Sequence, residues 1–199
     1  MTGPMGRFPE GSEAMRMAGV ILVLGGARSG KSRWAEHLAS PFRRVVYLAT
    51  GRAGDAEMAD RIARHRASRP AHWRTVEEEL RPAAALAQAL HEAPADAVLL
   101  DCVTLLISNH LLQGEEGFEA RARQELAQLL SLTRERGALL IAVSNEVGAG
   151  LVPEHRLGRL FRDAQGRLNQ WLAREADQVY ACVAGIAVDL RRIGTVIPE

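Results

Sequence analysis

The sequence predicts an α/β fold, a mostly parallel sheet with helices on both faces. Three observations carry that prediction. Short, uninterrupted apolar runs recur along the chain, as strands buried on both faces require. Stretches with helical spacing separate them, which is the βαβ rhythm of a parallel sheet. Glycine-rich and polar residues gather just after the runs, where such sheets bind ligands.

The elements follow in order. Residues 20–24 (VILVL) form the first strand, and a glycine loop follows it. A helix is expected over about 31–39, ended by Pro41 and Phe42. Residues 45–49 (VVYLA) form a second strand. Asp55 can cap a helix over 55–67, which Arg69-Pro70 stops. Residues 73–76 suggest a short strand. Pro82 opens a helix through about residue 91. Residues 97–100 form a buried strand that ends at Asp101, and a helix should run from there through Leu112. Residues 117–136 carry Leu126, Leu129, Leu130 and Thr133 at helical spacing. Residues 139–143 form another strand. Residues 153–177 read as a long, arginine-rich helix, broken or frayed near Gly166. Residues 178–183 give a last core strand, and 186–190 an edge hairpin.

The first loop is Gly25-Gly26-Ala27-Arg28-Ser29-Gly30-Lys31-Ser32, which matches G-x-x-x-x-G-K-[ST] at every fixed position. A strand precedes it and a helix follows, the context of a P-loop NTPase. Lys31 is the one lysine among 25 cationic side chains. A narrow phosphate site explains that exception, because it takes a compact ammonium and poorly accommodates a planar guanidinium. Lys31 is expected on the β/γ-phosphates and the Ser32 hydroxyl on Mg²⁺. Asp101, at a strand end, reads as a metal-binding carboxylate or as the cap of the next helix, and the two roles are compatible.

Composition bounds the rest. A chain of 199 residues with 47% hydrophobic residues is long enough for one domain with a substantial core. Its net charge of +1 gives no pull toward nucleic acid. No apolar run approaches the roughly 20 residues of a membrane span. Cys102 and Cys182 lie in apolar runs and read as buried thiols. Residues 1–16 lack periodicity and an apolar signal core, so they are expected to be a disordered extension before a single domain over 17–199.

A third cluster lies in DAEMADRIARHRASRP. Met58, Ile62 and His65 share one helical face, with Arg61, Arg64, Arg66 and Arg69 around the histidine. Alone, a histidine on a helix is usually structural or solvated. Set among arginines, it resembles an anion site able to receive a polyphosphate. The same arginines favour the neutral imidazole, which suits a nucleophile. The remaining histidines (His37, His72, His91, His110 and His155) read as surface or packing residues. The segment SNEVGAG after residue 143 stands where a GTPase would carry N-K-x-D. Glu146 replaces the lysine and Gly148 the aspartate, so that reading fails. A substrate loop and a structural turn both fit.

Taken together, GGARSGKS, YLAT, DAEMADRIARHRASRPAHWRTVE, LLDC and SNEVGAGLVPEHRLGRLFRDAQGRLNQ resemble, in order and spacing, one family. It is the bifunctional adenosylcobinamide kinase/adenosylcobinamide-phosphate guanylyltransferase family of cobalamin biosynthesis. The resemblance implies phosphorylation of adenosylcobinamide by GTP or ATP with Mg²⁺. It also implies transfer of GMP from GTP through a guanylylated histidine, which falls on His65. It implies that Gly25 to Ser32 bind triphosphate and that Ala49, Thr50 and Gly51 line the nucleotide. Arg66, Ala67, Ser68 and Arg69 follow the nucleophile and should contact the nucleotide. Glu77 and Asp101 match acidic positions near guanine or metal. A recombinase-like core, a homotrimer and a cytoplasmic location are further implications. Residues 1–16 have no counterpart, and Asp101 stands where some members have glutamate. A simple small-molecule kinase and a slowly hydrolysing nucleotide-gated module are the alternatives. Covalent enzyme-GMP and corrinoid-dependent turnover separate them from the bifunctional reading.

Overall fold

The computed structural model describes residues 19–51 and 69–197. The helix expected over 55–67, with His65, Arg66, Ala67 and Ser68, lies outside these residues, as does the expected N-terminal extension.

The strands are β1 (Val20–Gly25), β2 (Val45–Ala49), β3 (Arg74–Glu77), β4 (Ala97–Asp101), β5 (Leu139–Asn145), β6 (Gln178–Val183) and β7 (Ile186–Asp189). They form one seven-stranded sheet in the order β3-β2-β4-β5-β1-β6-β7. All neighbours are parallel except β6 and β7, which pair antiparallel. The helices are α1 (Lys31–Ala39), α2 (Pro82–Glu92), α3 (Val103–Leu112), α4 (Phe118–Glu135), α5 (Arg156–Glu175) and the single turn α6 (Leu190–Ile193). No described helix is long and apolar enough to cross a membrane.

Strands β1, β2, β4 and β5 are apolar on both sides because helices cover both faces. Even-numbered residues of β2, β4 and β5, such as Leu48, Leu100 and Ala142, face α2, α3, α4 and α5. Odd-numbered ones, such as Tyr47, Leu99 and Ile141, pack with Ala35, Leu38 and Ala39 of α1. Each face is therefore legible from the two-residue alternation once one contact is known.

Three boundaries differ from the sequence reading. The short strand runs one residue later than expected, over Arg74–Glu77. Strand β5 extends through Ser144 and Asn145, so the SNEVGAG segment begins inside the sheet. Helix α5 starts at Arg156 and is continuous through Gly166 to Glu175, where a break was expected. Buried Ala164, Gln165, Leu168, Asn169 and Leu172 hold it against the sheet on both sides of the glycine. Packing outweighs the roughly 1 kcal/mol that a glycine costs in a helix.

Candidate active site

The phosphate loop connects β1 to α1. Its root is tight: a Cβ at Gly25 would lie 2.4 Å from Ser29 Oγ and 2.7 Å from the Cys182 carbonyl. Gly30 has a φ of 96°, a left-handed conformation that favours glycine, at the N-cap of α1. The Ser29 carbonyl accepts from Gly185 N at 2.9 Å, which braces the loop on the β6–β7 turn. No side chain caps α1. Such a helix start offers backbone amides and a positive dipole end to an anion. Lys31 is buried, and its ammonium donates to the Gly26 carbonyl at 3.1 Å across the loop. Its charge reaches Cys102 and Cys182, where it opposes the burial that raises both thiols, Cys102 to about 12. Both cysteines are free and buried, as their apolar setting predicts.

The carboxyl ends of the strands converge beside this loop. Gly25 pairs with Asn145, and Ala49 pairs with Glu77 on one side and Asp101 on the other. Continuing the alternation, Gly25, Ala49, Glu77, Asp101 and Asn145 all belong to the face that α1 covers. Two acids thus flank a small alanine at the ligand edge of the sheet.

Asp101 does not cap α3. Cys102 is the N-cap residue, and no side-chain bond caps that helix. The carboxylate is engaged elsewhere: the Tyr47 hydroxyl donates to Asp101 Oδ2. The Arg69 guanidinium stacks 3.6 Å above the centre of the Tyr47 ring. Burial first, then the Asp101 charge, pushes the Glu36 carboxyl of α1 above its ordinary range, and Arg69 opposes them. Burial first, followed by Asp101, likewise raises the Tyr47 phenol and keeps it protonated as a donor.

Thr50 is fully buried. Its hydroxyl donates to the Cys102 carbonyl at 2.6 Å and accepts from Cys102 N at 2.9 Å. The Thr50 carbonyl receives Asn109 Nδ2 at 2.8 Å, and the same amide donates to the Glu79 carbonyl at 3.0 Å. Asn109 of α3 therefore ties the Thr50-Gly51 turn to the segment after β3. On the far side of Asp101, Ser144, Gln165 and Asn169 form a buried hydrogen-bonded group, and Asn169 Nδ2 holds the Asn145 carbonyl at 3.0 Å. Glu146 N donates to the Gly25 carbonyl at 3.2 Å, joining this loop to the phosphate loop.

The structure thus gathers Gly25, Gly26, Ala27, Arg28, Ser29, Gly30, Lys31, Ser32, Ala49, Thr50, Gly51, Glu77 and Asp101 at one edge, with Arg69 above Tyr47. Tyr47, Glu36 and Asn109 were not singled out by sequence reasoning. The alternation of Tyr47 with Ala49 was visible, as was the strand ending at Asp101, but not their pairing, which gives Tyr47 its meaning.

Asp101 and Ser32 are oxygen donors, the set a hard dication takes. Among the described residues no group of three or more His, Cys, Asp or Glu forms a cage. That composition fits Mg²⁺, which usually takes one or two protein ligands and completes its shell with phosphate oxygens and water.

Comparison with known proteins points the same way. Residues 21–190 match the family described as cobinamide kinase / cobinamide phosphate guanyltransferase. The chain is 44% identical over 182 residues to the bifunctional adenosylcobalamin biosynthesis protein CobU of Salmonella typhimurium, covering 86% of this chain and 99% of that one. It is 42% identical over 184 residues to the Escherichia coli protein of the same name, with 86% and 99% covered. It is 47% identical over 172 residues to the bifunctional adenosylcobalamin biosynthesis protein CobP of Pseudomonas aeruginosa, with 85% and 96% covered.

Proposed function

The chain belongs to the cobinamide kinase / cobinamide phosphate guanyltransferase family, and from that premise we propose how its residues divide two transfers over one nucleotide site. It is a bifunctional transferase of cobalamin biosynthesis.

In the kinase step, the hydroxyl of adenosylcobinamide attacks the γ-phosphorus of GTP or ATP. The bond to the β–γ bridging oxygen breaks, the nucleoside diphosphate leaves, and the hydroxyl proton is lost. Lys31 and the backbone of Gly25 to Ser32 hold the phosphates in line, which is most of what such a transfer requires. Ser32 and Asp101 would hold Mg²⁺, which neutralises charge on the phosphates when bound.

In the second step, an imidazole nitrogen of His65 attacks the α-phosphorus of GTP and pyrophosphate leaves. A phosphate oxygen of adenosylcobinamide phosphate then attacks the same phosphorus. The phosphorus–nitrogen bond breaks, giving adenosylcobinamide-GDP and neutral imidazole. Ala49, Thr50, Gly51, Arg66, Ala67, Ser68, Arg69 and Glu77 are assigned to the nucleotide. Asn145 to Gly150 and the arginine-rich α5 are assigned to the corrinoid. One observation supports the shared site above others: Arg69, four residues after His65 in sequence, rests on Tyr47, which holds Asp101.

Intact mass after incubation with GTP and Mg²⁺ tests the guanylyl half. The wild type should gain one acid-labile GMP, and His65→Ala none. A wild type that binds GTP without an adduct would leave a kinase alone. The functional unit is assigned to residues 17–199 as a cytoplasmic homotrimer; a single-subunit mass in sedimentation equilibrium would remove the trimer.

A further inference from the structure

We propose that Tyr47 is a positioning residue of this site, its hydroxyl fixing the Asp101 carboxylate and its ring seating Arg69. One buried side chain then joins the metal-binding carboxylate to the residue that follows the histidine segment. The inference rests on the assignment of Asp101 to Mg²⁺.

Tyr47 lies in the middle of β2, between β3 and β4 in the sheet, and is 1% exposed. Phenylalanine would fill that volume without bringing a polar atom into the core. A buried hydroxyl without a partner costs about 1–3 kcal/mol, so its presence calls for an acceptor. Register supplies one. Tyr47 pairs with Leu99, and Asp101 stands two residues further on the same face of β4. The hydroxyl reaches the carboxylate there and donates to Oδ2.

A carboxylate at a strand end has rotamers to choose among. A charge-assisted bond from a rigid phenol selects one, and pre-set ligand geometry is what tight ion binding needs. The ring has a second occupant. Arg69 lies 3.6 Å from its centre, within cation–π distance, and its Nη1 reaches Thr75 Oγ1 at 3.4 Å. Tyr47 therefore sits between opposite charges, Arg69 on its face and Asp101 at its tip.

Tyr47→Phe keeps the ring and removes the hydroxyl, and Tyr47→Leu removes both. Binding of a fluorescent GTP analogue is followed as Mg²⁺ is titrated. Tyr47→Phe should raise the Mg²⁺ concentration at half-saturation about tenfold, as expected for one lost hydrogen bond to a charged group. In an Asp101→Asn background the same change should add nothing. Unchanged half-saturation, or effects that simply add, would overturn the proposal. Urea unfolding of the ion-free single and double variants reads the Tyr47–Asp101 bond itself. There too, additive midpoints count against it, and Asp101→Asn probes the bond from its half-buried end should the core variant fold poorly. If Asp101→Asn leaves the Mg²⁺ dependence intact while the unfolding cycle shows coupling, the metal assignment fails and the bond stands. For the ring, Tyr47→Leu should slow formation of the GMP adduct at least tenfold beyond Tyr47→Phe. Equal adduct rates in the two variants would remove the role in seating Arg69.

Discussion

Thr50, fully buried, bonds both backbone groups of Cys102 with one hydroxyl, at 2.6 and 2.9 Å, and is the partner of the Cys102 N–H. Valine has the same shape without the donor and acceptor. Thr50→Val should therefore destabilise the protein by about 1–3 kcal/mol, because the buried Cys102 N–H loses its partner while the Cys102 carbonyl keeps Leu106 N at 3.2 Å. Chemical denaturation gives the number, and a change below about 0.5 kcal/mol would mean that the backbone finds other partners. Residues of this kind explain what could and could not be read from sequence. Gly25 to Ser32 were legible because a phosphate loop is a local motif whose glycines and lysine are consecutive. Asp101 was legible as the last residue of an apolar run. Tyr47 and Asn109 were not, because Asp101 lies 54 residues from Tyr47 and Thr50 lies 59 from Asn109, and both contacts depend on which strands become neighbours.

At the scale of elements, the strands were the clearest part of the sequence and the long helix the least. An apolar run of five residues bounded by turn signals has few alternatives inside an α/β pattern. Helix α5 was misread at Gly166 because propensity is a weak prior against a packed face. Its two glycines make a matched test. A Cβ at Gly166 meets nothing within 4 Å, so Gly166→Ala should stabilise the protein by about 0.5–1 kcal/mol. A Cβ at Gly158 would lie 2.7 Å from Pro153 Cβ, so Gly158→Ala should show less gain or a loss. Thermal melts of both variants decide the matter; equal shifts would show that the start of α5 yields freely. Arg191 adds a feature that no pattern announces. Its guanidinium donates to the carbonyls of Ala173 and Ala176 at 2.6 and 2.8 Å, closing the end of α5 with a cation where the helix dipole favours one.

Over the whole molecule, sheet order was the part sequence withheld. A buried run shows that a strand has helices on both faces, but not which strands lie beside it, and here β5 comes between β4 and β1. The order brings Lys31 and Asp101 to one edge from opposite sides of β5. It also buries His110 of α3, whose imidazole is held below its usual range by burial first and by Arg121 second, while a bond to the Leu80 backbone opposes them. The folded state thus takes up a proton less readily than the unfolded chain. His110 contributes its stability above about pH 6.5, and that contribution is lost as pH falls through the lower folded value. The urea midpoint should drop between pH 7.5 and pH 5.5, and less so in His110→Gln; equal drops would assign the effect to other groups. The lone lysine has a consequence for the chemist at the bench. Acylating reagents aimed at amines find, besides the amino terminus, only the ammonium that crosses the phosphate loop. Surface biotinylation or amine coupling to a sensor chip therefore has no harmless lysine to use. The same scarcity makes acylation of that single side chain a footprint of whether nucleotide is bound.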